Sequence, residues 1–410
     1  MSKPQGSFDV IVIGAGPSGA MVAALLNKKG YRVLVLEKEH FPRFSIGESL
    51  LPQCMAYLEQ ADMLAAVEEA KFQYKNGAAF TCGDQYEFFD FREKFSEGWG
   101  TTFQVQRDQF DKILADEAQK QGVEIFYGHA VTAFDYASDK VTLSVETDQN
   151  ESYQISANFV LDASGFGRVL PRLLDLNLPS NLDVRTSLFT HIKDNINDDR
   201  YDRNKILITV HPEHRDIWYW LIPFSNGRAS VGVVTPQSFF ADNLGDAEGK
   251  LRDLIAQGGL LDEVLQNAEF DTPVREIGGY SCKVKQLYGE GFALLGNAGE
   301  FLDPVFSSGV TIALKSASLA ADVVDRQLSG LSPDWEQEFA VPLKKGVDTF
   351  REFVEGWYDG RFQDVVFSEL KNDKVTRMIS SVLAGYAWDL ENPYVKDPSR
   401  LNTLVEFCRR

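Results

Sequence analysis

The first forty residues alternate between short apolar runs and a glycine-rich turn. Residues 10–13 are all apolar, glycines follow at 14, 16 and 19, and residues 20–26 have the composition of a helix. A second run, 31–36, is apolar except for Arg32 and ends at Glu37. Apolar runs of this length are typical of strands buried on both faces. The pattern predicts a strand, a helix and a second strand within about thirty residues.

Four further patterns divide the rest of the chain. Residues 73–103 are strand-like and aromatic, 107–121 have helical periodicity, 183–275 alternate between apolar and polar, and the chain is helical from 334 to about 390. The fold class predicted is mixed α/β, a Rossmann-like dinucleotide-binding domain with an inserted antiparallel β-sheet domain and a C-terminal helical segment. The nucleotide-binding domain is predicted over 7–75, 104–175 and 281–330, the substrate domain over 76–103 and 176–280, and the helical region over 331–410.

Composition narrows the class of partner. The 410 residues include 60 acids against 41 Lys and Arg, a net charge of −19, which disfavours nucleic acid and anionic membranes as partners. The four cysteines have no zinc-type spacing, and the five histidines show no ligand spacing, so no metal site is predicted. Without a secretory signal or an apolar run of about 20 residues, the expected location is the cytoplasm, with no integral membrane segment.

The glycine-rich turn predicts a dinucleotide site. Gly14 would allow the tight turn, Gly16 the approach of a pyrophosphate, and Gly19 the close packing of helix on sheet. Glu37 stands 18 residues after Gly19, where an acid can bind the adenosine ribose hydroxyls. The structural alternative is a glycine-rich turn followed by a solvated acid.

A second pattern is the run WYWLIP, residues 218–223. Trp218 and Trp220 are two apart, so a strand would place both rings on one face. That face is either ordinary core or the wall of a reactive site.

Four segments, 43–49, 104–114, 160–168 and 294–310, resemble the p-hydroxybenzoate-hydroxylase-like flavoproteins. The resemblance covers roughly residues 7–325 and implies FAD as the cofactor, with Asn297 where that superfamily more often has aspartate. The implied FAD-binding residues are Gly14, Ala15, Gly16, Pro17, Ser18, Gly19, Glu37, Lys38, Arg43, Ser45, Gly47, Glu48, Ser49, Arg107, Val131, Asp162, Ala163, Gly165, Gly296, Asn297, Asp303, Pro304, Gly309 and Val310.

Within this superfamily, Trp218, Trp220, Ile222 and Pro223 match the WxWxIP motif of flavin-dependent halogenases. Lys75, in FQYKNGAAF, and the segment FLDPVFSSGV (301–310) resemble the phenol- and pyrrole-type branch. The resemblance implies that a separate reductase supplies reduced FAD. Oxygen and chloride or bromide, the halide held near Ser308 and Gly309, would then give hypohalous acid, which Lys75 relays to an electron-rich aromatic ring.

One position separates this chain from tryptophan-type halogenases. Phe306 stands where those enzymes carry a glutamate, and the chain ends soon after its helical tail. The resemblance therefore implies a different, larger or carrier-bound substrate.

Other interpretations remain open. The tryptophans are plain core, and Lys75 a surface lysine, if the chain is instead a reductase of the geranylgeranyl-reductase-like type, a dehydrogenase or a monooxygenase. A third possibility is an FAD-binding module that docks a carrier protein without turnover.

Overall fold

The computed structural model describes residues 3–240, 245–370 and 372–409. The predicted segments 176–280 and 331–410 thus include residues outside this description, at 241–244, 371 and 410.

The strands are β1 (Phe8–Ile13), β2 (Val33–Glu37), β3 (Gln73–Lys75), β4 (Gly77–Cys82), β5 (Gln85–Asp90), β6 (Thr102–Gln104), β7 (Glu124–Tyr127), β8 (His129–Ala137), β9 (Lys140–Thr147), β10 (Ser152–Asp162), β11 (Asn177–Pro179), β12 (Arg185–Lys193), β13 (Lys205–Val210), β14 (Trp218–Pro223), β15 (Arg228–Pro236), β16 (Arg275–Gly278), β17 (Cys282–Val284), β18 (Tyr288–Gly289) and β19 (Phe292–Leu294). The helices are α1 (Pro17–Lys28), α2 (Gln53–Gln60), α3 (Leu64–Glu69), α4 (Arg107–Lys120), α5 (Val169–Leu173), α6 (Ala247–Ile255), α7 (Leu260–Val264), α8 (Ser308–Leu328), α9 (Val341–Tyr358), α10 (Arg361–Val366), α11 (Asp373–Leu383), α12 (Pro393–Lys396) and α13 (Arg400–Cys408).

The first sheet forms the nucleotide-binding layer. Strands β19, β10, β1, β2 and β7 lie side by side in that order and run parallel. β18 pairs antiparallel with β19, and β9 pairs antiparallel with the first half of β10 and with β8. The apolar runs in β1 and β2 are buried because helices cover this layer, as expected for a parallel sheet.

The turn between β1 and α1 needs its first and third glycines for geometry alone. Gly14 has φ +96°, and a Cβ there would stand 2.7 Å from the Ala163 carbonyl oxygen. A Cβ at Gly19 would stand 1.9 Å from the Gly14 carbonyl oxygen. Both positions therefore exclude a side chain.

The second sheet has the order β16, β12, β15, β14, β13, β4, β5. Its neighbours are antiparallel, as predicted, except β4 and β13, which run parallel. β4 and β13 are separated by about 120 residues, so no hairpin connects them. Only a hairpin would force the two strands to run antiparallel.

The C-terminal helices cover the second sheet and the start of α8. Trp357 of α9 packs with its ring 5.7 Å from that of Phe80 in β4 and 5.8 Å from that of Phe306. In the described ranges, no helix combines the length and apolarity needed to cross a membrane. The predicted fold class, a nucleotide-binding α/β layer with a second sheet and a helical tail, is confirmed.

Candidate functional site

A cleft of about 400 Å³ lies between the two sheets. It begins at the ends of β1 and β2, passes the N-terminus of α1 and the start of α8, and ends against β12 and β14. Most of the predicted site residues line it: Gly14, Gly16, Pro17, Ser18, Glu37, Lys38, Arg43, Ser45, Gly47, Glu48, Ser49, Arg107, Val131, Ala163, Gly165, Trp218, Trp220, Asn297, Pro304, Gly309 and Val310.

The nucleotide end is built on Glu37. Its Oε2 accepts the backbone N–H of Ala15 at 2.8 Å, and its Oε1 accepts that of Glu39 at 3.0 Å. These bonds fix the carboxylate against the cleft while leaving lone pairs for hydroxyl donors. α1 has no side-chain cap, so its first-turn N–H groups are free for an anion. The arrangement fits the ribose and pyrophosphate of a dinucleotide.

Buried Asp111 of α4 orders the loop 43–49. It accepts hydrogen bonds from Arg107 Nε at 2.7 Å and Nη2 at 3.0 Å, and from Arg43 Nη1 at 3.1 Å. Arg107 Nη1 also donates to the carbonyl oxygens of Ile46 and Gly47, at 2.6 and 3.2 Å. Both arginines line the cleft, but their contacts in the protein are structural, since they hold this loop along the cleft wall.

Five predicted cofactor residues lie behind the cleft wall: Ala15, Gly19, Asp162, Gly296 and Asp303. Asp162 accepts the backbone N–H groups of Ser164 at 2.9 Å and Leu170 at 2.6 Å, and burial raises its pKa. Its carboxylate thus shapes the turn after β10. Gly296 has φ +50°, and a Cβ there would lie 2.8 Å from that of Ala313.

The far wall of the cleft is β14. Trp218, Trp220 and Ile222 face the cleft, whereas Tyr219 and Leu221 pack into the core on the other face. The two indole rings are 5.9 Å apart, as the spacing in the sequence predicted for one face of a strand.

Glycine at 232 is required by this wall. A Cβ there would stand 2.3 Å from Trp220 Cζ2. Trp220 Nε1 donates to Ser230 Oγ at 3.1 Å. Two residues of β15 therefore hold the indole of Trp220: Gly232 leaves space for the ring, and Ser230 accepts its N–H.

Trp218 is tied to the C-terminal helices. Its Nε1 donates to the Tyr358 hydroxyl at 2.9 Å, and that hydroxyl donates to Asp303 Oδ2 at 2.8 Å. The guanidinium of Arg185 lies 3.6 Å from the Tyr358 ring centroid. Burial raises the pKa of Asp303 to about 6, although Tyr358 and the Val305 N–H oppose that rise. No local pattern links Tyr358 to Trp218, because the two are 140 residues apart.

We expect Tyr358→Phe to weaken the fold more at about pH 8 than at about pH 5. Asp303 takes up its proton as the pH falls through about 6, so the variant leaves a buried carboxylate short of a donor only above that pH. The expected loss is about 2 kcal/mol at the higher pH. Urea unfolding followed by tryptophan fluorescence measures it. Tyr136→Phe, which removes an exposed hydroxyl near Asp139, is the control, and equal losses at both pH values would contradict the prediction.

The start of α8 forms the floor of the cleft beside the tryptophans. Ser307, the residue before the helix, has φ 56°, and no side chain caps the helix. Ser307, Gly309 and Val310 line the cleft, whereas the Ser308 side chain is buried away from it. The uncapped N–H groups of a 21-residue helix make this end of the cleft electropositive.

Lys75 is buried next to the cleft without lining it. Its side chain is 1% exposed, which excludes the surface-lysine interpretation. Nζ donates to Ser49 Oγ at 2.7 Å and to the Leu50 carbonyl at 2.8 Å, and the Phe91 ring centroid lies 5.5 Å away. Burial lowers the pKa of Lys75 to about 7. No carboxylate among the described residues pairs with it.

Sequence reasoning missed a pair that joins the loop 43–49 to β12 of the second sheet. His191 Nε2 lies 2.6 Å from Glu48 Oε1, while Glu48 Oε2 is buried without a partner in the protein. The residues are 143 apart in the chain, so no local pattern could have linked them. An orphaned carboxylate oxygen on the cleft wall is a ready acceptor for a bound molecule.

Comparisons with known proteins agree with this geometry. The FAD binding domain family model matches residues 7–243. The flavin-dependent halogenase gsfI of Penicillium aethiopicum is 30% identical over 100% of this chain and 82% of its own length. This chain belongs to the flavin-dependent halogenases. It is a halogenase-like FAD-dependent oxidoreductase, as its sequence motifs predicted.

Two more relatives bear on its chemistry. The 1H-pyrrole-2-carbonyl-[peptidyl-carrier protein] chlorinase of Pseudomonas fluorescens is 29% identical over 86% of this chain and 83% of its own length. A flavoprotein/dehydrogenase from Cytophaga hutchinsonii, known from its crystal structure, is 44% identical in sequence. The match covers 98% of this chain and 99% of the Cytophaga chain, with a TM-score of 0.95.

Proposed function

We propose that this halogenase-like enzyme uses chloride or bromide to halogenate an electron-rich aromatic ring, and that Lys75 delivers the halogen. Bound FAD, once reduced, supplies the chemistry that turns oxygen and halide into hypohalous acid. Gly16, Glu37, Asn297 and Gly309 would hold this cofactor along the cleft.

The observation that carries the proposal is the burial of Lys75. An unpaired ammonium in the interior is costly, and a fold that only needed packing would place an apolar side chain there. With a pKa of about 7, the amine exchanges its proton near neutral pH, as a group that hydrogen-bonds to or reacts with hypohalous acid must. The position of Lys75, one serine away from the cleft, supports a role at the end of the hypohalous acid's path.

Trp218 and Trp220 would keep the substrate away from the cofactor. Their rings line the cleft together with the start of α8, and they would form a wall that a bulky aromatic ring could not cross. The uncapped N–H groups near Ser308 and Gly309 favour a halide.

One relative supports a proposal for the substrate. Because the Pseudomonas fluorescens chlorinase acts on a pyrrole held by a peptidyl-carrier protein, we propose a phenol or pyrrole, free or carrier-bound, as substrate. A separate flavin reductase would supply reduced FAD. We further propose a cytoplasmic location without nucleic-acid partners, supported by four free cysteines and the net charge of −19.

The test is turnover with a flavin reductase, oxygen and bromide on a panel of phenols, pyrroles and a carrier-bound pyrrole. We expect a brominated product, detected by its isotope pattern, that requires bromide. A product that forms equally well without halide would contradict the proposal.

A second candidate is a dehydrogenase or reductase. It is favoured by the Cytophaga hutchinsonii protein, which is called a flavoprotein/dehydrogenase and is the more similar of the proteins compared above. Halide-independent reduction of an alkene, or oxidation of a substrate coupled to flavin reduction, would favour this candidate. If the protein retains FAD but turns over no donor, the interpretation as a carrier-docking module is favoured.

A further inference from the structure

Two acceptors share the amine of Lys75, and only one of them reaches the cleft. The Leu50 carbonyl is a main-chain group, 2.8 Å from Nζ, and does not line the cleft. Ser49 Oγ, 2.7 Å from Nζ, belongs to a residue that does. Since Lys75 itself is not on the cleft wall, this serine hydroxyl is the polar contact that joins the two.

The proton of the Ser49 hydroxyl is not held by a strong hydrogen bond within the protein. Its nearest further partner is Gln104 Oε1, at 3.4 Å, a distance at which a hydroxyl bond is weak. Gln104 Nε2 is buried without a partner, so the amide is not locked into this arrangement. A serine hydroxyl has one donor and two acceptor sites. Ser49 can therefore accept from Lys75 while its own proton points into the cleft.

We infer that Ser49 is a positioning residue for Lys75, and that its hydroxyl carries protons and hydrogen bonds between the buried amine and the cleft. This inference deepens, and rests on, the function proposed above for Lys75. It also changes the role of Ser49, which the family resemblance implied to be one of many cofactor contacts.

The proton transfer balances within the groups named. When the ammonium of Lys75 loses a proton, an N–H bond breaks and an O–H bond forms at Ser49 Oγ. The original Ser49 O–H bond breaks in the same step, and its proton passes to a water or hypohalite oxygen in the cleft. Lys75 is left as a neutral amine that accepts a hydrogen bond from the Ser49 hydroxyl and still donates to the Leu50 carbonyl.

The surroundings of Lys75 leave this route undisturbed near neutral pH. The titratable group that faces it from α2 is Cys54, whose pKa burial raises, so it remains an uncharged thiol. Phe91 and, from β6, Thr102 do not titrate. The lowered pKa of Lys75 supports an exchangeable proton at this position.

The experiment compares Ser49→Ala, Ser49→Thr and Thr102→Val with the wild type. Thr102 is the matched control because its buried hydroxyl bonds to Met55 Sδ rather than to Lys75. The first readout is the titration of Lys75 by NMR of ¹³Cε-labelled lysine, assigned by the resonance missing in Lys75→Met. The second is brominated product per reduced flavin consumed, measured on protein of known FAD content.

We expect Ser49→Ala to move the Lys75 titration to lower pH, because the ammonium loses an acceptor, and to lower product per flavin about 10-fold. Ser49→Thr, which keeps a hydroxyl, should restore both values, and Thr102→Val should change neither. An unchanged titration overturns the inference whatever happens to the product, because Ser49 would then act elsewhere. A shifted titration with unchanged product also overturns it, because the contact would be structural only.

Failure of the proposed function is distinguishable from failure of this inference. If the wild type forms no halogenated product from any substrate, the proposed function is wrong. The positioning role of Ser49 in halogenation falls with it, whereas the NMR titration still decides whether Ser49 controls the Lys75 proton.

Discussion

Lys75→Met should abolish halogenated product and at the same time make the protein more stable. Methionine fills nearly the same volume but has no proton and no nucleophilic nitrogen. We expect a loss of at least about 100-fold in product per flavin, the usual scale for a missing acid–base group. Oxidation of reduced flavin by oxygen, which needs only the cleft, should continue.

The gain in stability follows from the sign of the pKa shift. Lys75 has a pKa of about 7 in the fold, against 10.5 ordinarily, so between these values the unfolded chain binds more protons and stability rises with pH. Below about pH 7 the whole cost of the buried ammonium is present, on the order of 5 kcal/mol. Methionine removes that cost but leaves the Leu50 carbonyl unpaired, so we expect a net gain of about 1–2 kcal/mol.

Thermal and urea unfolding at about pH 6.5 measure this gain, and the flavin assay measures the product. Lys112→Met, at an exposed i,i+4 pair with Asp116, is the control and should change neither. A variant that is less stable than the wild type and keeps its product would show that Lys75 serves the fold. An inactive variant with lower stability would contradict the expectation that the buried ammonium of Lys75 destabilises the fold.

Two glycines of the β1–α1 turn should fail in different ways when replaced by alanine. A Cβ at Gly19 would meet the Gly14 carbonyl oxygen at 1.9 Å, so Gly19→Ala must displace backbone. We expect it to destabilise the protein by about 3 kcal/mol or more, with or without FAD. A Cβ at Gly16 meets nothing closer than Arg43 Nη2 at 3.5 Å.

Gly16→Ala should therefore fold normally and bind FAD poorly. Its methyl group would occupy the cleft where the pyrophosphate approaches the turn. We expect unfolding of the FAD-free protein to be unchanged within about 0.5 kcal/mol, and FAD affinity to fall at least about 10-fold. Fluorescence titration with FAD measures the affinity. Unchanged affinity in Gly16→Ala would mean that the dinucleotide does not cross this turn.

The fold was predictable wherever neighbours in sequence are neighbours in space. The apolar runs of β1 and β2 and the periodicity of α4 depend on local spacing, and each was found close to its predicted bounds. The parallel pairing of β4 with β13 was not predictable, because register between strands so far apart depends on how the whole sheet assembles.

For the candidate site, the residues were identified by motif, but their distances and partners came from the fold. Trp218 and Trp220 share a face because a strand repeats every two residues, a rule that holds in any context. That Tyr358 holds Trp218, that His191 meets Glu48, and that Asp303 turns from the cleft to Tyr358 depend on long-range contacts. No sequence spacing encodes such contacts, because chain folding alone brings those side chains together.

The amino-acid sequence was sufficient for the family and the cofactor, and its motifs made Lys75 a candidate, since glycine, tryptophan and lysine motifs act through local geometry. Only the tertiary structure decided that Lys75 is buried, stands behind the cleft wall and touches the cleft through Ser49. The pKa of an amine depends on the solvent and partners around it, and those are set when β3, β6, α2 and the loop 43–49 close over the side chain.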